Sequence, residues 1–301
     1  MRIPDSSIAS SLIRQLSQAS ARLFRLQEQV ASGLAFKFPS QNPPAAMRAA
    51  SLRSGIAELA RYRQNCGDAE RLVEMTEITL REMADSLREA RSAAVAMSPF
   101  DPDGNSALAD QVDEIARRIV AGANLTSEGR YLLAGHELLT PPVVENPPGI
   151  PPYLYQGDRG DIPFQLSRGL SLVANLDAAE VLNFDGASDP ARDDTLETLR
   201  QLAVALRAGD GDAVAAGMDA IDWHLDRVVS LRAQIGARLQ HVQLAHTQLE
   251  TGILLLREQL SEVQHVDITK AVIELRSQEI AYQAAAAAAG AIHRASLLEY
   301  F

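Results

Sequence analysis

The chain has one cysteine, Cys66, among 301 residues, which excludes an intramolecular disulfide framework. Cys66 falls in the apolar register of a predicted helix, so a buried, inert thiol is expected there. Aromatic residues make up only 5%, while alanine, leucine, glutamate and arginine dominate, a composition that favours long helices. Positive charge is in deficit: 28 Lys and Arg stand against 39 Asp and Glu, a net charge of -11. That balance argues against nucleic acid as partner of the whole chain. No run of about 18 or more apolar residues occurs, so no membrane insertion is expected. The start lacks the apolar stretch and small-residue cleavage site of a Sec signal peptide.

Catalytic patterns are also missing. There is no G-x-S-x-G elbow, no P-loop, no G-x-G-x-x-G and no H-E-x-x-H. His136-Glu137 has no second ligand at i+4, and His241 and His246 point from different faces of one predicted helix. Catalytic, cofactor and metal residues are therefore expected to be none. Arg159-Gly160-Asp161 sits in a Gly-Asp turn and has a sufficient structural explanation. Asn124-Leu125-Thr126, a glycosylation-type triplet, falls within a segment that reads as helical.

What the sequence does carry is a pair of heptad patterns near its two ends. Ala9, Leu12, Leu16, Ala19, Leu23, Leu26 and Val30 step by 3, 4, 3, 4, 3, 4. Ile235, Leu239, Val242, His246, Leu249, Ile253, Leu256, Leu260 and Val263 alternate 4 and 3 in the same way. Such spacing puts a narrow apolar seam on one side of a helix, as in a coiled coil. The two seams are expected to pack against each other, with Leu12, Leu16, Leu23, Leu26, Val30, Leu239, Val242, Leu249, Ile253, Leu256 and Leu260 as the assembly seam. His246, a polar seam position, is expected to set register.

Helices are predicted over 6–32, from about 45 to 97, after the turn at 98–105, from about 193, over 212–264 and over 267–299. Eight of the fourteen prolines lie between residues 136 and 194, where short alternating pieces such as Tyr153–Tyr155 and Ile162–Leu166 read as β. Ala284–Ala289 is a close-packing helix face. Charge follows this division: residues 1–65 carry +6, 66–221 carry -15 and 222–301 carry -2. The acidic middle reads as the solvated part. The expected fold is mainly α: an elongated antiparallel helical bundle or coiled coil formed by both termini, with a small β-rich insertion.

Several stretches then resemble one family. Gln27–Gly33 followed by Pro39-Ser40-Gln41-Asn42-Pro43-Pro44-Ala45-Ala46 looks like the N-terminal "sG…psDdPa" signature of the flagellin superfamily. Gly129–Gly135 with Thr140-Pro141-Pro142 is similar to its "G-x-Y-L-F-A-G…P" stretch, and Tyr155–Asp158 to its "Y-x-G-D". Asp267–Val272, Tyr282–Ala284 and the closing Ser296–Phe301 resemble its C-terminal helix. Gln41-Asn42 replaces the usual acidic pair, and Leu133 the usual Phe.

Within that superfamily the chain looks most like the hook–filament junction proteins. The resemblance implies a structural, non-enzymatic subunit that joins hook to filament and templates flagellin polymerisation. It implies assembly with itself in a helical ring, with the other hook–filament junction protein and with flagellin, and an export chaperone binding the C-terminal helix. It further implies uncleaved export through the flagellar type III apparatus to the extracellular flagellum. The corresponding division is 1–45 and 265–301 as assembly helices of an inner tube, 46–135 and 195–264 as rod helices, and 136–194 as the outer β-rich insertion. Filament flagellin is the near alternative, and an unrelated coiled-coil adaptor the remote one.

Overall fold

The computed structural model describes residues 5–146 and 152–298. Among the described residues seven α-helices dominate: α1 (Asp5–Ser32), α2 (Pro43–Val95), α3 (Pro102–Ala123), α4 (Ala178–Leu182), α5 (Thr195–Ala208), α6 (Gly211–Gln264) and α7 (Ile268–Leu298). Between α3 and α4 lie β1 (Thr126–Ser127), β2 (Arg130–Tyr131), β3 (Val143–Glu145), β4 (Tyr153–Tyr155), β5 (Pro163–Ser167) and β6 (Leu170–Val173). They pair as three separate antiparallel hairpins. Among the described residues no helix is long and apolar enough to cross a membrane.

The chain divides into two compact units. Residues 59–251 form one, and residues 1–58 with 252–301 the other. Nearly all the buried apolar side chains named among the described residues belong to the first. There Leu80, Met83 and Leu87 of α2 share one continuous core with Ile115 and Ile119 of α3, Leu199, Leu202 and Leu206 of α5, and Leu231 and Ile235 of α6. Cys66 lies in that core, fully buried, and burial raises its thiol pKa, as does the nearby Glu70.

Two ion pairs fix the direction of packing. Arg232 Nε meets Glu77 Oε1 at 2.7 Å and Arg91 Nε meets Asp222 Oδ1 at 2.6 Å. Numbers rise along α2 as they fall along α6, so the helices run antiparallel. Both pairs are part-exposed and align the helices more than they stabilise them.

The hairpins do not stand alone. Leu132, Leu133, Val143, Leu166 and the α4 residues Val181 and Leu182 join the helical core. Asparagines tie them down: the Asn124 amide donates to Val143 O at 2.7 Å while its carbonyl accepts Val143 N–H at 3.0 Å. Asn65 donates to Gln165 O at 2.9 Å. Asn124 was expected inside a helix; it is instead the residue that ends α3, freed to clamp β3. Strand pairing also starts at Thr126, upstream of the proline-rich stretch where β structure was anticipated.

Around α4 the chain is held by Asn183, which sits at φ +61°. Its amide donates to the carbonyls of Asp189, Arg192 and Asp193, and its carbonyl accepts from Ser188 N and Asp189 N. Asparagine tolerates this left-handed geometry better than other non-glycine residues.

Next to it, His224 is 2% exposed, with Nδ1 3.0 Å from Thr195 Oγ1 and Nε2 3.2 Å from Thr198 Oγ1. Desolvation, helped by Arg192, lowers its pKa to about 4. Asp194, the N-cap of α5, is shifted the other way: burial raises it to about 6.

Candidate assembly surface

The second unit holds both chain ends. Helix α1 stops because Gly33 takes φ +71°, a conformation that favours glycine after a helix. Its N–H bonds back to Gln29 O at 2.8 Å. The chain then passes beside the end of α6: Ala35 N donates to Gln264 O at 2.8 Å and Val266 N to Gly33 O at 3.0 Å. Asp267 caps α7 by accepting Lys270 N–H at 3.1 Å. At the entry to α2, the amide oxygens of Gln41 and Asn42 each accept a backbone N–H. Gln41 Oε1 accepts Lys37 N at 2.7 Å, and Asn42 Oδ1 accepts Ala45 N at 3.3 Å.

The backbone bridge around Leu34 and His265 sets the pairing. Helix α1 packs against α7. The reason is topological: the antiparallel crossing at Leu34 and His265 leaves α7 to run back beside α1. Leu16, Ala19, Leu23, Leu26 and Val30 are all half-buried, whereas Ile13 and Phe24 are 64% and 71% exposed. The side chain of Leu12 lies outside the described residues.

The facing seam on α7 is Ala271, Leu275, Gln278, Tyr282, Ala285 and Ala289, again stepping by 4 and 3, with Ala271 buried and the rest half-buried. Sequence reasoning missed it because Gln, Tyr and Ala occupy positions usually recognised by Leu. The alanine run was its visible part.

The other pattern belongs to α6. Val242 and Leu249 are buried and Leu239 half-buried within the first unit. In the second, Ile253 is buried and Leu256 and Leu260 are half-buried, with Leu256 Cδ1 only 3.3 Å from where a Cβ on Gly55 of α2 would stand. His246 is half-buried and His241 exposed.

Two features distinguish the second unit. Few of its apolar side chains are fully buried, Phe36, Ala49, Ile253 and Ala271 among the described residues. Many large ones face outward: Met47, Leu254, Leu255, Ile268, Val272, Ile273 and Ile280, besides Ile13 and Phe24. Exposed apolar residues at this density mark an interaction surface. No group of three or more His, Cys, Asp or Glu that could hold a metal occurs among the described residues.

The Arg159-Gly160-Asp161 turn is consumed internally. Asn175 Nδ2 donates to Gly160 O at 2.8 Å, His136 Nε2 lies 2.9 Å from Asp161 O, and a Cβ on Gly160 would enter the His136 ring.

The profile of the bacterial flagellin N-terminal helical region matches residues 3–137, and that of the C-terminal helical region matches residues 218–301. The chain belongs to the flagellin family. As a flagellin-family member it is a structural component of the flagellum, not an enzyme, and it assembles outside the cell with other flagellar components. It is 23% identical to flagellar hook-associated protein 3 of Escherichia coli over 94% of both chains. The corresponding protein of Salmonella typhimurium is 21% identical, again over 94% of both.

Among solved structures, a flagellar hook-associated protein of Vibrio parahaemolyticus superposes with TM-score 0.65 at 18% identity, covering 75% of this chain and all of that one. Bacillus cereus FlgL does so with TM-score 0.59 at 21% identity, over 70% and 99%. Both likenesses concern the fold, and the matched N- and C-terminal regions of this flagellin-family chain include the α1 and α7 seams.

Proposed function

We propose that this chain is the hook–filament junction subunit that polymerises with copies of itself and templates flagellin polymerisation. The observation that carries the proposal is the unit formed by the two chain ends, which turns large apolar side chains outward while burying few. Two helices with a seam this thin bury too little to offset the entropy of ordering them, so further copies complete the core. The end-to-end likeness to two hook-associated proteins 3 supports junction over filament.

Its neighbours in the assembly are then the other junction protein on one side and flagellin on the other. Residues 1–45 and 265–301 serve as the inner-tube helices, with Leu12 to Val30 and Leu239 to Leu260 as assembly seams, residues 46–135 and 195–264 as rod helices, and residues 136–194 outward. The subunit travels uncleaved through the type III apparatus, with a chaperone covering α7 until it is delivered.

Electron microscopy of cells lacking the chain tests this. Bare hooks, with flagellin accumulating unpolymerised in the medium, are expected. Filaments of ordinary length on those cells would refute it. Purified filaments built from this chain would instead establish the flagellin alternative.

A further inference from the structure

The turn between α2 and α3 presents Phe100 to solvent at 94% exposure, and the turn is anything but loose. Asn105, 3% exposed, donates to Ser98 O at 2.8 Å and accepts Ser98 N–H at 3.0 Å. Asp101 N–H donates to Ser98 O at 3.2 Å, and the Asp101 carboxylate caps α3 at Gly104 N, 2.9 Å away. A large apolar side chain held out on a pre-ordered turn loses little entropy when it docks, and aromatic anchors of this kind dominate many interfaces. Beside it Asp103 has no ion pair among the described residues.

The same unit contains a recess. A cleft of about 280 Å³ lies between α2 and the hairpins, lined by Leu72, Leu132, Ile162 and Phe164. Two arginines stand at its rim. Arg71 is engaged by Asp68 at 2.6 Å and lies 3.9 Å from Glu128. Arg130, exposed on β2, has no ion pair among the described residues.

We propose that Phe100 of one copy of this chain occupies the Leu72–Phe164 cleft of a second copy, with Asp103 facing Arg130. A chain cannot fill its own cleft. Leu72 and the end of α2 at Val95 are separated by roughly 35 Å of helix at 1.5 Å per residue. Knob and cleft are different patches, so the contact is heterologous and repeats from copy to copy instead of closing as a two-fold dimer. The proposal concerns the central unit and does not depend on the junction assignment, which is read in cells.

Cross-linking of purified full-length protein decides it. Cys66 is buried, so Pro99→Cys and Ser127→Cys each add one accessible thiol, Pro99 exposed beside Phe100 and Ser127 lining the cleft. A short bis-thiol reagent should join a mixture of the two variants several-fold more efficiently than either alone, and a chain carrying both should give a ladder. In sedimentation, Phe100→Ala should weaken self-association by about ten-fold or more. Asp103→Arg should weaken it too, and mixing with Arg130→Asp should restore it. A mixture that cross-links no better than Pro99→Cys alone would overturn the proposal, as would a doubly substituted chain that stops at dimers.

Discussion

Acid should act on the central core through two buried groups that pull in opposite directions. His224 titrates near 4 in the folded chain against 6.5 for the free side chain. The unfolded state therefore takes up the proton first, and stability is lost as pH falls from 6.5 through 4. At ~1.4 kcal/mol per pK unit the loss reaches about 3 kcal/mol. Asp194 shows the mirror case: its carboxyl titrates near 6 against 3.8. Here the folded state binds the proton first, so stability present below 3.8 is lost as pH rises through 6, again by about 3 kcal/mol. The windows overlap, so the two contributions largely cancel in the wild-type chain.

Substitution separates the two. Asp194→Asn keeps a good N-cap acceptor and should expose the histidine slope, with stability falling on acidification. His224→Gln, able to bridge Thr195 and Thr198, should expose the carboxyl slope, with stability rising on acidification. The single tryptophan, Trp223, packs edge-on against His224 with ring centroids 4.9 Å apart. Urea titrations followed by its fluorescence therefore report this site directly. A flat profile for Asp194→Asn between pH 4 and 6.5 would refute the reasoning.

Asn183→Ala removes five side-chain hydrogen bonds and strains a positive φ, so a loss of about 3 kcal/mol or more is expected in urea unfolding; Asn183→Gly should recover only the backbone part. Leu256→Asp places a charge against Gly55 and the α2 face, a penalty of several kcal/mol. It should leave expression intact while blocking incorporation into sheared flagella, which immunoblotting checks. Limited proteolysis should trim the ends, roughly the first forty residues and part of the tail, and leave a stable fragment; first cleavage between residues 52 and 97 would contradict the division of the core.

Long-period structure was legible in the sequence because it is written in local repeats. The helix expected over 6–32 is Asp5–Ser32, and the one over 212–264 is Gly211–Gln264. Glycine, proline and Asp267 mark the stops by local chemistry alone. The hairpins were harder, since strands of two to five residues owe their pairing to distant partners such as Asn65 with Gln165. No periodicity encodes those contacts. The stripes on α1 and α6 were legible but α7 as the neighbour of α1 was not, because a heptad states which side of a helix is sticky without naming its partner. Phe100 carried no signal: one aromatic in a turn says nothing about exposure until the turn is built.

The α1 and α7 stripes have a mechanical consequence. A strict 3–4 alternation advances 3.5 residues per turn against 3.6 for a straight helix, a drift of about 20° per heptad. From Ala271 to Ala289 the seam on α7 therefore winds left-handed by roughly 50° about its partner. Such a pair behaves as a two-ply cord. Torque of one sense adds to the winding and presses Leu16, Leu23 and Val30 into the seam, while torque of the other sense subtracts from it. In an organelle that rotates, clockwise and counter-clockwise loads are thus unequal already at the level of one helix pair.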